Sequence, residues 1–190
     1  IEYSNKIIND LLEYSKETKL ELAQSTPKAI TDEALALVRI PERIRLINLA
    51  RNKPRMTVDI DKLKRALINI IKNAVEAMPK GGTLTIKNKR SNSKVEFVFT
   101  DTGMGMPKEV SEKIFTPLFT TKAKGMGFGL AICKRNIEAH GGHVTVQSKV
   151  GKGTTFTVAI PIEAKPQENE KLWIQMPESL LAKSAHNKYR

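Results

Sequence analysis

Apolar residues recur at intervals of three and four in several stretches of the chain, which predicts amphipathic helices there. The strongest pattern predicts a helix over residues 59–78, with Asp61 capping its start. Similar stripes predict one helix over residues 1–23 and another over residues 130–139. A shorter helix is predicted over residues 31–38, between two prolines. Each of these helices has an apolar face to bury against a neighbouring element.

Six short segments with the composition of β-strands alternate with these helices. They cover residues 43–49, 55–60, 83–88, 95–101, 144–148 and 154–160. The tripeptide Asn52-Lys53-Pro54 predicts a hairpin turn between the first two. Residues 102–129 are rich in glycine, threonine and lysine, with at most a single helical turn near residues 110–114. A loop of this length inside a domain is usually functional, for example as a lid over a site.

Composition narrows the class of protein. The 190 residues are 40% hydrophobic and 27% charged, which suits a globular chain rather than a disordered one. The single cysteine, Cys133, excludes an internal disulfide and a thiolate zinc site. Because its neighbours are apolar and helical in pattern, we expect a buried structural thiol there. No apolar run in the sequence approaches the length that a membrane-spanning helix needs.

The chain carries a large positive charge. Lys and Arg number 32 against 20 Asp and Glu, so the formal net charge is +12. Residues 58–161 hold 17 basic and 8 acidic side chains, whereas the flanking segments are nearly balanced. Because the glycine-rich loop lies in the same segment, the excess favours a phosphate-bearing ligand over a detached basic tail. A solvated basic surface is the alternative interpretation.

Two asparagines on the helix predicted over residues 59–78 are the first candidates for chemistry. Asn69 and Asn73 lie four residues apart and therefore on one face, opposite the apolar stripe. Amides on such a helix are unfavourable to bury without partners, and an amide oxygen beside phosphates suits Mg²⁺. Ordinary surface amides would give the same spacing, so this pattern alone does not decide between the two.

Two glycine-rich motifs are the next candidates. Asp101 ends a predicted strand and is followed by Gly103 and Gly105, so its carboxylate can accept a hydrogen bond from the amine of a flat heterocycle. The run Lys124-Gly125-Met126-Gly127-Phe128-Gly129-Leu130 enters a helix, and the free amide groups of a helix N-terminus bind anions. Each motif is weak by itself, and the second is neither the dinucleotide fingerprint nor a Walker loop.

The order of the motifs is far more specific than any one of them. The asparagine helix, the strand-end DxGxG, the segment Phe115-Thr116-Pro117-Leu118-Phe119, the GxGxGL run and His140-Gly141-Gly142 follow one another. Over about residues 27–161 the chain thereby resembles the ATP-binding catalytic domain of sensor histidine kinases. The superfamily of that domain also contains DNA gyrase, the heat-shock chaperone and the MutL ATPases.

The resemblance implies a fold and a domain organisation. The expected fold is an α/β sandwich, with a mixed sheet of about five strands, about three helices on one face and a preceding N-terminal helix. Residues 1–26 would be the remnant of a dimerisation and phosphoacceptor hairpin, with residues 1–17 resembling its second helix. Residues 27–161 would be the ATP-binding domain, and residues 162–190 an extension without an assigned role.

The resemblance also implies roles for individual residues. Asn69 and Asn73 match the catalytic asparagine box, with Asn73 as the Mg²⁺ ligand, and Asp101 matches the carboxylate that binds the adenine amine. The other matches are the turn glycines Gly103 and Gly105, the lid anchors Phe115 and Phe119, the phosphate-binding Gly125, Gly127, Gly129 and Leu130, the lid cations Lys122 and Lys124, and Thr154 or Thr155 near adenine. The two lysines either reach the γ-phosphate or remain solvated loop residues. His140 is expected to end a helix, where its imidazole meets free carbonyls.

Two departures from the family patterns define the expected activity. The gyrase-like hydrolases have a glutamate four residues before the metal-binding asparagine, and here that position is Asn69, so efficient ATP hydrolysis is not expected. Histidine kinases phosphorylate a histidine that precedes an acidic residue, and His140, His143 and His186 precede Gly, Val and Asn. The expected function is therefore transfer of the γ-phosphoryl of ATP to a histidine outside this sequence.

The implied ligands are ATP and Mg²⁺. The implied partners are the phosphoacceptor helix of the same full-length protein, a second copy in a full-length homodimer, and a response regulator receiver domain. The domain would be cytoplasmic whether or not the full-length protein is anchored in a membrane. Alternatives are a nucleotide-binding pseudokinase and a serine-directed anti-sigma-factor kinase of the same fold. A nucleic-acid binder is disfavoured because aromatic residues make up only 5% of the chain and offer no stacking platform.

Overall fold

A five-stranded mixed sheet with helices on one face forms the centre of the computed structural model, which describes residues 19–121 and 127–164. The strands are β1 (Ala23–Ser25), β2 (Ile44–Leu49), β3 (Met56–Val58), β4 (Gly82–Ser91), β5 (Lys94–Asp101), β6 (His143–Lys149) and β7 (Gly153–Pro161). The helices of the described residues are α1 (Pro27–Ala36), α2 (Ile60–Glu76), α3 (Lys108–Ser111) and α4 (Gly129–Ala139). The expected α/β sandwich is confirmed, with the single turn of α3 added to three longer helices.

The order of the main sheet is β2-β4-β5-β7-β6. Only β2 and β4 are parallel, and the other neighbours are antiparallel. Side chains alternate between the faces, so that Val95, Phe97 and Phe99 of β5 are buried under the helices. Phe99 on β5 lies opposite Phe156 on β7, and residues of β4 and β6 continue the same row across the sheet. One face of the sheet is thus part of the core. The end of β5 and the start of β7, both polar, lie side by side.

Helix α2 crosses the buried face with an apolar stripe of fully buried Leu63, Leu67, Ile70 and Ile71. Each such side chain contributes about 1.5–3 kcal/mol by its removal from water. The predicted helix is confirmed, but the prediction of its cap was wrong. Asp59, not Asp61, caps the helix, because its side chain accepts a hydrogen bond from the backbone N–H of Lys62.

The predicted hairpin at residues 52–54 is also wrong. Strand β2 pairs in parallel with β4 in the main sheet, whereas β3 pairs with β1 in a separate two-stranded sheet. Both pairings join segments far apart in sequence, so the local turn residues do not determine them. Residue Ile60, expected at the end of that strand, is instead the first residue of α2 because Asp59 caps the helix there.

The start of the domain differs from the helix predicted over residues 1–23. Residues 1–18 lie outside the described residues, and residues 19–22 are not helical. Residues Ala23–Ser25 form β1, whose backbone is paired with β3. Strand pairing therefore overrides the apolar spacing that predicts a helix at residues 23–25. On the other side of β3, Thr57 exchanges hydrogen bonds with Ile162 (2.8 Å) and Ala164 (2.9 Å).

Two further features of the described residues bear on earlier expectations. Cys133 is fully buried on α4, and burial raises the pKa of its thiol to about 12, so the prediction of a structural thiol is confirmed. None of the helices in residues 19–121 and 127–164 is long and apolar enough to cross a bilayer.

Candidate functional site

Asp101 ends β5 and is the buried carboxylate of the candidate site, only 3% exposed. Its Oδ1 accepts hydrogen bonds from the backbone N–H groups of Gly103 (2.8 Å) and Thr154 (3.2 Å). Burial raises the pKa of this carboxyl, although both backbone bonds act in the opposite direction. The second oxygen, Oδ2, accepts no hydrogen bond from any described residue. One oxygen therefore fixes the carboxylate, and the other is left for a donor on a ligand.

The chain after Asp101 passes so close to its neighbours that it requires glycine. A Cβ at Gly103 would lie 2.6 Å from the carbonyl oxygen of Ala77, at the end of α2. Gly105 has φ +65°, and a Cβ there would lie 2.0 Å from the carbonyl oxygen of Lys149. The turn after Asp101 is therefore packed closely between the end of α2 and the β6–β7 hairpin.

The structure distinguishes the two threonines that the sequence left as alternatives. Thr154 lies on the buried face of the sheet, where its N–H binds Asp101 and its hydroxyl bonds Ser148 Oγ at 2.9 Å. Thr155, the next residue, lies on the opposite face, and its hydroxyl bonds Thr100 Oγ1 at 3.1 Å. Only Thr154 is therefore brought to the carboxylate of Asp101.

Ser148 was not identified from the sequence. Besides Thr154, its hydroxyl accepts a hydrogen bond from the backbone N–H of Met106 at 2.8 Å and thereby connects β6 to the glycine turn. No local pattern around an edge-strand serine indicates such a contact, because Met106 lies 42 residues away in sequence.

Asn69 and Asn73 lie half-buried on α2, on the side that faces the start of α4. The amide nitrogen of Asn69 donates to the carbonyl oxygen of Gly129 at 3.0 Å. The amide nitrogen of Asn73 donates to the backbone carbonyl of Asn69 at 2.8 Å, so Oδ1 is the atom of Asn73 that can act as a ligand. The structure thus brings the asparagine helix and the last glycine of the GxGxG run together.

The start of α4 has the features of an anion site. The residue before the helix, Phe128, has no side-chain oxygen to cap the first N–H groups, and α4 is 11 residues long. Gly127 has φ +71°, and a Cβ there would lie 2.5 Å from the carbonyl oxygen of Phe119. Leu130 packs against the core beside this turn. Three predicted residues, Lys122, Lys124 and Gly125, lie outside the described residues.

The two phenylalanines predicted as anchors both pack against the core. The ring of Phe115 meets that of Phe156 edge to face, with centroids 6.3 Å apart. Ile114, next to it, is 7% exposed. The segment after α3 is therefore attached to β7, on the strand that also carries Thr154.

A divalent cation would find few protein ligands in this site. Within residues 19–121 and 127–164, no three His, Cys, Asp or Glu side chains come together as a metal cluster. The Oδ1 atom of Asn73, one helical turn beyond Asn69, is nevertheless a hard oxygen of the kind that Mg²⁺ binds. Mg²⁺ usually takes one or two protein oxygens and completes its shell with phosphate and water, so this donor set fits Mg²⁺ held jointly with phosphates.

Comparisons with known proteins show which proteins the chain is similar to. A family model described as histidine kinase-, DNA gyrase B- and HSP90-like ATPase matches residues 58–164. The sensor histidine kinase ZraS of Salmonella typhi is 37% identical over 169 residues, which cover 86% of this chain and 36% of that protein. The chain thus spans about a third of the length of this relative.

Solved structures give the same result for the fold. The catalytic domain of the histidine kinase ThkA is 30% identical with a TM-score of 0.68, and the match covers 76% of this chain and 97% of that domain. The structure of ThkA in complex with the response regulator TrrA is 31% identical with a TM-score of 0.71, covering 86% of this chain and 48% of that one.

Proposed function

The chain belongs to the family of histidine kinase-, DNA gyrase B- and HSP90-like ATPases, and from this membership we propose that it is the ATP-binding catalytic domain of a sensor histidine kinase. Residues 27–161 would bind Mg-ATP. The domain would transfer the γ-phosphoryl group to a histidine on the dimerisation helices of the full-length protein, with residues 1–17, upstream of β1, as part of those helices.

The observation that carries the proposal is the arrangement of Asp101. Its Oδ1 is held by two backbone N–H groups, and its Oδ2 accepts no hydrogen bond from the described residues. The exocyclic amine of adenine would donate to Oδ2. Guanine has a carbonyl oxygen at that position, so two acceptors would face each other in a site with little water, which is unfavourable by about 1–3 kcal/mol. The site would therefore select adenine over guanine.

The phosphates would lie at the start of α4, where Phe128 offers no side-chain acceptor to the first N–H groups and Gly127 and Gly129 carry no side chains. Asn69 would hold that turn through its bond to Gly129, and Asn73 Oδ1 would be the protein ligand of Mg²⁺. When bound, Mg²⁺ neutralises charge on the phosphate oxygens during transfer. Lys122, Lys124 and Gly125 stay proposed contacts of the phosphates.

Hydrolysis would be slow in this site. The amide of Asn69 cannot accept a proton from water as a carboxylate does, and its nitrogen is already committed to Gly129. An acceptor imidazole brought by another helix would instead be the nucleophile. Its delivery requires the full-length dimer, and the complex of ThkA with TrrA supports a response regulator as the next partner in the pathway.

A nucleotide titration of the chain tests the proposal. Calorimetry should give binding of ATP and ADP, with GTP weaker by about 10-fold or more, as expected for one mismatched hydrogen-bonding position. Asn73→Ala should weaken the binding of ATP in Mg²⁺ more than in EDTA, because the proposed ligand of the metal is removed while Asp101 and the start of α4 stay in place. Asn48→Ala, an exposed asparagine on β2, is the control. Absence of ATP binding, or equal losses with Mg²⁺ and EDTA, would contradict the respective assignments.

A further inference from the structure

Asp59 lies where three parts of the chain meet. It is 3% exposed, and its Oδ1 caps α2 by accepting from the backbone N–H of Lys62 at 2.9 Å. Its Oδ2 accepts from the Lys62 ammonium and from the backbone N–H of Glu21, both at 2.9 Å. Its own N–H donates to His140 Nε2 at 3.0 Å. One residue therefore connects the entering chain, the start of α2 and the end of α4.

The hydrogen bond between Asp59 and His140 has a defined donor and a defined acceptor. The imidazole is fully buried, and because Nε2 accepts from Asp59, the proton lies on Nδ1 and is donated to the carbonyl oxygen of Asn136 at 2.6 Å. Position 140 follows the last turn of α4. The junction of Asp59 and His140 thus ties the start of one helix to the end of the other.

The same two helices are tied again at the candidate site, where Asn69 bonds Gly129. Asn69 lies ten residues after Asp59, about 15 Å along α2. Between the two ties, Leu63, Leu67 and Ile137 are fully buried. Close-packed interiors transmit displacement rather than absorb it. A shift of the start of α2 against α4 would therefore reach the Asn69–Gly129 contact.

The entering chain is bound to the same point. Strand β1 pairs Ala23 with Val58, the residue before Asp59, and Glu21 lies two residues before β1. Leu20 is buried and Glu21 is exposed, so a displacement of the upstream chain acts on the burial of Leu20 and on the N–H bond of Glu21 to Asp59 before it reaches the β1–β3 pairing. The charge of Asp59 is kept, since the hydrogen bonds of Lys62 and Glu21 outweigh the effect of burial and lower its pKa.

We propose that Asp59 and His140 form a junction through which the chain entering at Glu21 regulates the nucleotide site. The inference rests on the proposed function, because it concerns the affinity of that site for ATP. Movement of the upstream helices that withdraws the Glu21 N–H loosens the first turn of α2 and changes the spacing of Asn69 from Gly129. By linkage, nucleotide binding strengthens the Glu21–Asp59 contact to the same degree.

Amide hydrogen exchange of the whole chain, with and without ATP and Mg²⁺, tests this linkage. Saturating nucleotide should slow the exchange of the Glu21 amide by at least about fivefold, the lower end of typical coupling factors. Asp59→Asn keeps an oxygen to cap the helix but can place an amine where Oδ2 accepts, and should reduce that protection to less than about twofold. Asp61→Asn, with the same charge change on an exposed residue of the same turn, should behave as wild type.

A second pair of variants avoids any change in the core. Glu21→Pro removes the N–H donor from an exposed position, whereas Glu21→Ala keeps it. The proline variant should bind ATP at least about fivefold more weakly than the alanine variant. If neither wild type nor variants bind nucleotide, the proposed function fails. If all bind equally and nucleotide leaves Glu21 exchange unchanged, the junction proposal is overturned and the proposed function stands.

Discussion

At the scale of single residues, Asp101 shows how a binding position opposes stability. Burial raises the pKa of its carboxyl, so the folded state holds the charge less readily than the unfolded state does. Two backbone N–H groups compensate in part through Oδ1. An acceptor that no residue of the fold uses adds nothing to stability, and it becomes favourable when a ligand donates to it.

Replacement of Asp101 by asparagine should separate these two effects. The amide oxygen of Asp101→Asn can still accept from Gly103 and Thr154, and the penalty for a buried charge disappears, so the free energy of unfolding should stay equal or rise. The amine would face the adenine amine, and the loss of a charged hydrogen bond of about 1.5–3 kcal/mol should weaken ATP binding about 10- to 150-fold.

Denaturant unfolding measures the free energy of unfolding, and calorimetry with ATP and GTP measures the affinity for nucleotide on the same samples. Asp61→Asn is the control, since it makes the same charge change at an exposed position. Unchanged affinity for ATP, with no gain for GTP, would show that Asp101 does not contact the base.

At the scale of elements, α2 and α4 form a pair joined by hydrogen bonds at both ends of α4. The junction of Asp59 and His140 is the buried one, and burial lowers the pKa of His140 even though the Asn136 carbonyl and the Asp59 carboxylate act in the opposite direction. The Lys62 ammonium, close to Asp59, also lowers it. Protonation would turn Nε2 into a donor facing the Asp59 N–H and would break the contact.

The stability of the fold should therefore depend on pH through His140. Because its pKa is lower in the folded state than the ordinary value of 6.5, the unfolded chain binds the proton more readily. The contribution is fully present above about pH 6.5 and is lost as the pH falls below that value. Chemical unfolding between pH 5 and 8 should show stability rising with pH up to about 6.5 and then levelling off.

The variant His140→Gln, which has both a donor and an acceptor but does not titrate, should reduce this slope. His143→Gln, at an exposed position on β6, is the control for the removal of an imidazole and should leave the slope as it is. A slope that persists undiminished in His140→Gln would exclude the junction as its source.

At the scale of the whole molecule, the sequence predicts those features that depend only on the spacing of residues near each other in the chain. The stripe of α2 and the strand-end position of Asp101 are local features, and both are confirmed. The pairing of β3 with β1, the contact of His140 with Asp59 across 81 residues and the choice of Thr154 over Thr155 depend on how distant segments meet. No periodicity contains that information, which is why the prediction of a hairpin at residues 52–54 is wrong. The wrong cap at Asp61 has a local cause, because Asp59, two residues earlier, already accepts from the N–H of Lys62.

In the proposed function, the site that binds ATP and the histidine that accepts the phosphoryl group lie in different parts of the full-length protein. Of the two histidines in the described residues, His140 is buried with both ring nitrogens bonded, and His143 lies on an edge strand. His186 lies outside the described residues. An acceptor imidazole needs exposure and a carboxylate beside it to orient the ring and take its proton. In sequence, no acidic residue follows any of the three.

The most direct measurement of the central claim is the destination of the γ-phosphoryl group. The chain, incubated with γ-labelled ATP and Mg²⁺, should bind nucleotide and acquire no acid-labile, base-stable phosphate. Addition of a separate two-helix hairpin with a His-Glu or His-Asp pair, taken from a related kinase, should give labelled histidine on the hairpin and none with its His→Gln variant. Stable labelling of the chain alone, mapped to His140, His143 or His186, would contradict the account.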